Sequence, residues 1–347
     1  MARDANDESS QTPTLPTRRQ VVGGVAAGSV AGLASSAVAQ TVSERSAQLQ
    51  GATNMNPEDK MPEFAKPPFK SQSQPWPGLA SKMEPRPDHG ETTYKGTGRL
   101  VGRKALITGG DSGMGRGAAI AFAREGADVV INYLPEEEAD AKEVLELIAE
   151  TGRIGVGIPG DLRSEEFCKS LVAQAVKALG GLDILVSNAA KQAATQSIAD
   201  ISNEQFDRTM KTNIYAMFWL TKAALPQMKP GSTIIVTTSE QAFDPSEDLV
   251  DYAMTKAAGM SFVKSMGKQL AKKGVRINAV APGPIWTPLQ VSGGASQEKL
   301  VEFGAKTPMG RPGQPGELAS IYVQLASNVA SYSVGQTYGA TGGNPAP

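Results

Sequence analysis

From Lys104 onward one pattern recurs: a short apolar run, a turn, then a longer stretch whose apolar residues fall at helical spacing. No other feature of the chain limits its fold as tightly, because alternating strands and helices of these lengths close as a parallel sheet with helices on both faces. KALIT (104–108) leads through a glycine turn into AAIAFAREGA, in which Ala119, Phe122 and Ala123 share a face. DVVINY (128–133) precedes EEEADAKEVLELIAE, with Val144, Leu147 and Ile148 at helical spacing. IGVGI (154–158) is followed by the helical EEFCKSLVAQAVKAL, and DILVSNA (183–189) by a long helix from about Asn203 to Met228. After STIIVTTS (232–239) comes a helix over about 250–272. VRINAVAP (275–282) is followed by a glycine- and proline-rich excursion over 283–313, a helix over 315–326 and the closing strand GQTYGA. The expectation is an α/β doubly wound parallel sheet of about seven strands, its strands apolar throughout because both faces are buried.

Composition narrows the function. A chain of 347 residues holds one large α/β unit with appendages, or two domains of typical size. With 34 basic against 35 acidic residues the net charge is -1, so no field draws in nucleic acid and no such partner is expected. A single cysteine, Cys168, and a single histidine, His89, exclude a disulfide framework, a Cys/His zinc cluster and a multi-histidine site; no metal is expected. His89 sits in a proline-rich connecting stretch, so a Ser-His-Asp triad is not expected either, and chemistry has to run without imidazole. Three features read as structural. Cys168, inside an apolar helix, is taken as buried and inert, and Glu136, Glu137 and Glu138 as a solvated first helical turn favoured by the helix dipole. Met217, Phe218 and Leu220 are taken as core or subunit interface.

Between the first strand and the first helix lies Thr108-Gly109-Gly110-Asp111-Ser112-Gly113-Met114-Gly115. Glycines at 109, 113 and 115 allow a sharp turn, close approach to a pyrophosphate and tight helix–sheet packing, and the helix N-terminus offers free N–H groups. In that position the loop points to a dinucleotide. The second strand ends at Asn132-Tyr133, about 20 residues on, where an acid would mark a preference for NAD. The tip is neutral, which removes repulsion of a 2'-phosphate and favours NADP over NAD, although no arginine is evident to bind that phosphate.

Tyr252 and Lys256 begin the helix after the fifth strand, and a separation of four puts both on one face. A phenol of pKa about 10 is a poor base, but a neighbouring ammonium favours the phenolate, so Tyr252 would exchange a proton with a substrate oxygen. Strand five ends in Thr237-Thr238-Ser239, delivering a hydroxyl to the C-terminal sheet edge where open α/β sheets bind ligands.

Taken in order, TGGDSGMG (108–115), Asp161-Leu162, SNAA (187–190), Asn213, Ser239, YAMTK (252–256) and PGPIWT (282–287) resemble the short-chain dehydrogenase/reductase family over roughly residues 99 to 343. HGETTYKGTGRLVGRKALITGGDSG resembles the branch with a proline-rich extension before the first strand. The resemblance implies a Rossmann-type fold and an NAD(P)-dependent alcohol dehydrogenase or carbonyl reductase, with hydride passing directly between nicotinamide and substrate. It implies that Ser239 binds the substrate oxygen, that Tyr252 is acid or base, and that Lys256 lowers the tyrosine pKa and holds the nicotinamide ribose. Asn213 would secure a water relaying protons to the lysine. Asp161, with Leu162 beside it, would reach the adenine, Asn188 and Ala189 would line the adenosine ribose side, and Pro282, Gly283, Ile285 and Thr287 would border the nicotinamide. Ala190 stands where the family has glycine, so the local turn is expected to differ. A homotetramer is implied as well. The substrate is not specified, with selectivity expected from 240–250 and 284–313. A non-catalytic NAD(P)-binding sensor or scaffold of the same fold is the alternative, and epimerisation or dehydration a third.

The N-terminal part has its own logic. Residues up to Arg18-Arg19 are polar, no charge follows until Glu44, and the Gly/Ala-rich run closes on Ala37-Val38-Ala39. This resembles a twin-arginine export signal over 1–39, cleaved after folding, with the Tat machinery as partner and a periplasmic destination. An uncleaved anchor would favour Leu, Ile and Phe over Gly23, Gly24, Gly28 and Gly32, so no stable span is expected after cleavage; a cytoplasmic location is the alternative. Eight of the 23 prolines fall in 57–87, so the extension at 40–98 is expected to be an irregular strap, with Phe64, Phe69 and Trp76 burying it against the domain at 99–347.

Overall fold

The computed structural model describes residues 63–344. The expected signal at 1–39 and the extension's first part, 40–62, lie outside the described residues. Seven strands form one parallel sheet: β1 (Lys104–Thr108), β2 (Asp128–Tyr133), β3 (Gly155–Pro159), β4 (Ile184–Ser187), β5 (Thr233–Thr237), β6 (Arg276–Pro282) and β7 (Thr337–Ala340), in the order β3-β2-β1-β4-β5-β6-β7. The order reverses at β1, and the C-terminal ends of β1 and β4 therefore diverge into loops over a crevice.

Alternation along each central strand divides the core. Ala105 and Ile107 of β1 face one layer, with α1 (Gly113–Arg124), α2 (Glu138–Glu150) and Tyr322 on the late helix Pro315–Ala326. Leu106 faces the other layer, with α3 (Glu165–Leu179) and helical residues Leu220 and Val263. A period of two therefore sends successive side chains to opposite helical layers. Cys168 is buried in the second layer, its thiol donating to the Leu162 carbonyl, and burial pushes it up to about 12.

The helix expected over 203–228 is interrupted. It runs as α4 (Asn203–Met210), a π-turn at Lys211–Tyr215, then α5 (Ala216–Ala224). Periodicity alone could not reveal the extra residue, and such turns are frequent where a side chain is aimed at a site. On α5, Met217 and Leu220 are buried while Phe218 is exposed. After α6 (Val250–Leu270), the excursion contains a second π-turn and α7 (Gln297–Val301); Pro315–Ala326 is α8.

Residues 63–98 lie along the domain with one 3₁₀ turn, Ala80–Lys82, as their regular structure. Phe69 stacks on Trp286 with ring centroids 4.3 Å apart, and with Met83, Val291 and Leu300 they make a small satellite core. The Trp286 indole N–H donates to the Pro85 carbonyl (2.8 Å), and the Phe69 N–H to the Val301 carbonyl (2.8 Å). His89 is fully buried against Glu91 (Nδ1 to Oε1, 3.0 Å), which also pairs with Arg116. Glu125, just past α1, receives hydrogen bonds from the Tyr94 hydroxyl (2.6 Å), the backbone N–H groups of Thr97 and Arg99 (2.9 and 2.8 Å) and the Arg99 guanidinium. One carboxylate thus fastens the end of the extension to the first helix.

Replacing Glu125 removes the buried acceptor that those part-buried donors share. Glu125→Ala is expected to cost about 1–3 kcal/mol in urea denaturation and to expose 63–98 to limited proteolysis; unchanged stability and cleavage would contradict this anchoring.

Candidate active site

The glycine loop is built by exclusion of side chains. Gly109 and Gly113 have φ of 61° and 51°. A methyl at Gly115 would stand 1.9 Å from the Gly109 carbonyl oxygen, and one at Gly110 only 2.5 Å from Ile131 Cγ2. Gly110, which the sequence pattern did not single out, is needed for the same packing. Ser112 precedes α1 without a side-chain cap, leaving first-turn N–H groups free for an anionic ligand. The cradle thus fits a diphosphate.

Side-chain hydrogen bonds tie this loop to the other strand ends. The Thr108 hydroxyl accepts from the N–H groups of Asn188 (3.0 Å) and Ala189 (3.2 Å). The Asn188 amide donates to the carbonyls of Thr108 and Gly109 (3.1 and 3.2 Å) and its Oδ1 accepts from the Thr237 hydroxyl (3.1 Å).

The loops enclose a cavity of about 900 Å³. Gly109, Asp111, Ser112, Gly113 and Met114 form its floor, while Thr108 and Gly115 stand behind and shape the loop. Asn132, Tyr133, Asp161 and Leu162 line one end. The Asp161 carboxylate is held by Arg163 (Nε 2.8 Å, Nη2 2.5 Å). Asn188 and Ala189 form the middle, and Pro282, Gly283, Ile285, Thr287, Ser239, Tyr252 and Lys256 surround the other end.

At the catalytic end, Ser239 closes β5 and caps a 3₁₀ turn, its Oγ accepting from the Gln241 N–H (3.2 Å). Tyr252 and Lys256, 6% and 5% exposed, project from the first turns of α6. The lysine ammonium lies 5.2 Å from the phenol ring centre and donates to the Thr237 carbonyl (2.8 Å). The expected lowering of the phenol pKa is corrected here. Burial holds Tyr252 well above its ordinary value, opposed by the Ser239 hydroxyl and reinforced by Glu240. Burial also pulls Lys256 down to about 7. A four-residue spacing does not reveal the dielectric around the pair, and desolvation is the largest cause of both shifts.

Asn213 lies in the π-turn and does not line the cavity; its neighbour Thr212 does. Its Oδ1 accepts from the Lys191 N–H (2.7 Å), and its amide donates to the Lys191 carbonyl (2.9 Å) and the Thr255 hydroxyl (3.0 Å). The side chain is thus engaged in joining the loop after β4 to α6. Both of its donor hydrogens are committed.

Two readings of the adenosine end need correction. The neutral tip is real, but Asn132 spends its amide N–H groups on the carbonyls of Ile158 and Gly160 (both 3.1 Å), and two acids, Asp111 of the glycine loop and Glu137 just past the β2 tip, line the same end. The run 136–138 is not simply a solvated turn. Glu137 folds back to accept from the Leu134 N–H (2.8 Å) and Glu138 accepts from the Tyr133 hydroxyl (2.8 Å), leaving Glu136 exposed. The sequence pattern missed Pro77 and Gly78 of the extension, together with Gln192 and Asn344, all of which line the cavity. Trp76, expected only to bury the extension, lines it too, while Glu240 and Gln241 belong to the 240–250 loop from which selectivity was expected.

The family model described as enoyl-(acyl carrier protein) reductase matches residues 109–344. The uncharacterized oxidoreductase YghA of Escherichia coli (strain K12) is 56% identical over 275 residues, 79% of this chain and 94% of that protein. The chain belongs to the short-chain dehydrogenase/reductase family. Glucose and ribitol dehydrogenase of Daucus carota, 43% identical over 282 residues, covers 80% of this chain and 96% of its own length. A short-chain dehydrogenase from Burkholderia cenocepacia J2315, solved in complex with NADP, superposes with a TM-score of 0.65 at 29% identity, covering 71% of this chain and 98% of its own. The Rossmann-like fold expected from the strand–helix alternation is therefore the fold of this short-chain dehydrogenase/reductase. Among the described residues, no helix is long and apolar enough to cross a membrane and no group of three or more His, Cys, Asp or Glu is placed to hold a metal.

In this family member the close contact at Gly115 has a direct consequence. Gly115→Ala is expected to force the loop apart and lower stability by about 1–3 kcal/mol, read as a fall in melting temperature; an unshifted melting curve would contradict the packing described.

Proposed function

We propose that this protein is an NAD(P)-dependent oxidoreductase that interconverts a small polar alcohol and its carbonyl compound, with Tyr252 as acid and base. The observation that carries the reading is the convergence of Ser239, Tyr252 and Lys256 on the same cavity as the glycine loop. NADP or NAD would lie with its diphosphate over Gly109–Gly115 and would supply or take the hydride. The chain's part is alignment and proton handling. Ser239 holds the substrate oxygen beside the phenol, and Tyr252 gives that oxygen a proton in reduction and removes one in oxidation. Lys256, fixed by the Thr237 carbonyl, is placed against the phenol ring to bind the ribose and steady the charge that develops when the proton moves. Asn213 keeps the β4 loop and α6 in register around it.

The substrate end offers hydroxyl-binding groups between apolar walls. Gln192, Glu240, Gln241, Asp244 and Asn344 line it beside Leu249, Leu289 and Phe303, and the polar set is suited to a substrate's hydroxyl groups. The carrot relative, named for glucose and ribitol, supports the same class.

The experiment is turnover of NADH or NADPH with a panel of sugars, polyols and short aldehydes. Tyr252→Phe is expected to lower turnover roughly a hundred- to ten-thousand-fold while calorimetry still registers dinucleotide binding. Binding without turnover across the panel would favour the sensor reading instead. The direction of pH dependence follows from the raised phenol pKa: a group protonated across neutrality is ready to donate, and its basic form is scarce. Alcohol oxidation should therefore rise steeply from about pH 7 to about pH 10, while carbonyl reduction is retained at neutral pH; parallel profiles would contradict the assignment.

We also propose that residues 1–39 direct export through the Tat route, with folding on the dinucleotide preceding translocation, since nicotinamide cofactors are made in the cytoplasm. Replacing both arginines (Arg18→Lys, Arg19→Lys) should shift the protein from the periplasmic to the cytoplasmic fraction; unchanged fractions would reject the route.

A further inference from the structure

The adenosine end of the cavity holds a carboxylate with nothing to bind. Asp111 is 1% exposed, lines the cavity, and neither of its oxygens makes a full hydrogen bond among the described residues. Its own backbone, the Ser112 hydroxyl and Arg116 ease its charge only in part. Asp140 behind it is satisfied by the extension, accepting from the N–H groups of Ala80 (2.6 Å) and Ser81 (3.3 Å). Arg116, the nearest cation acting on it, turns the other way to Glu91 (3.1 Å) and Glu143 (3.0 Å). Glu137 comes from the loop after β2 to the same end of the cavity. Burial, then Asp140, pushes the Asp111 carboxyl up, and burial, then Asp111, does the same to Glu137, so the two acids feel one another.

An unpartnered buried acceptor is costly unless a ligand supplies the donor. At this end of a dinucleotide the donors are the ribose hydroxyls and the adenine amino group, and at the β2 tip Asn132 spends its N–H groups on Ile158 and Gly160, leaving there only its uncharged Oδ1 as an acceptor. The lysines that line the cavity, Lys256, Lys299 and Lys306, come from α6 and the 283–313 excursion, away from this end. A 2'-phosphate would thus meet two carboxyls and no lining cation.

We infer that Asp111, seconded by Glu137, accepts the hydroxyls of the adenosine ribose and makes the site select a dinucleotide with a free 2'-hydroxyl, NAD, over its 2'-phosphorylated form. This rests on the reading that the cavity binds a nicotinamide dinucleotide. It assigns to the glycine loop and the loop after β2 a discrimination that the neutral strand tip does not provide.

The test is calorimetric titration of NAD and NADP into the wild-type protein, Asp111→Asn and Glu137→Gln, with a melting curve for each. The wild type should bind NAD at least roughly ten-fold more tightly than NADP. Asp111→Asn should weaken NAD roughly ten-fold, as expected when one of two acceptor oxygens is replaced by a donor. Glu137→Gln should strengthen NADP and leave NAD less affected, and it keeps the test open if Asp111→Asn melts early. A wild-type preference for NADP, or an NAD-to-NADP ratio unmoved in a folded variant, would overturn the inference while leaving the oxidoreductase reading intact. Failure of the wild type to bind either dinucleotide would overturn both.

Discussion

The structure depends on one largely buried chain of hydrogen bonds across the C-terminal edge of the sheet. Asn188 binds the carbonyls of Thr108 and Gly109 with its amide and takes the Thr237 hydroxyl on its oxygen, while the Thr237 carbonyl receives Lys256. The groups are largely withdrawn from water, so leaving one of them unpaired would cost stability. The consequence is geometric: the floor that would carry a diphosphate and the residues that would move a proton belong to one rigid assembly. On the far side, the Thr237 hydroxyl also meets the Tyr322 hydroxyl at 2.7 Å, so α8 braces the same point.

The extension is part of the site as well as of the fold. Its Phe69 and Met83 complete a satellite core with Trp286, Val291 and Leu300, which lie within or beside the excursion that closes the substrate end. Without that apolar contact, the π-turn at Gln290–Gly294 and the short α7 would have little to pack on. Trp76, Pro77 and Gly78 then reach the cavity wall. A segment too rich in proline for a strand or helix can still be ordered when aromatic side chains find a groove and one carboxylate, Glu125, gathers its backbone donors.

Burial decides the chemistry of the site more than pairing does. Tyr252 and Lys256 face one another, yet each is held toward its neutral form because the protein interior solvates charge poorly. The carboxyls at the opposite end obey the same rule: Asp111 and Glu137, buried near one another, are both pushed toward protonation.

The alternation of apolar runs and helical stretches was enough to specify the parallel sheet, the position of the glycine loop, and the placing of Ser239, Tyr252 and Lys256 at its edge, because periodicity and turn chemistry are local properties. The π-turn around Asn213 was not legible, since one extra residue in a helix leaves the apolar pattern nearly unchanged. Nor was the commitment of the Asn213 amide to Lys191 and Thr255, residues far apart in sequence. The acids at the adenosine end were each in plain view, but Asp111 and Glu137 become neighbours only when β1 and β2 lie side by side. Sequence by itself determined which groups the site possesses and in what order the elements run; the tertiary structure alone decided which groups are dry, which are already spent on hydrogen bonds, and which are left open to a ligand. The physical reason is that desolvation and hydrogen-bond satisfaction depend on every atom within a few ångströms, and those atoms come from segments that no local pattern relates.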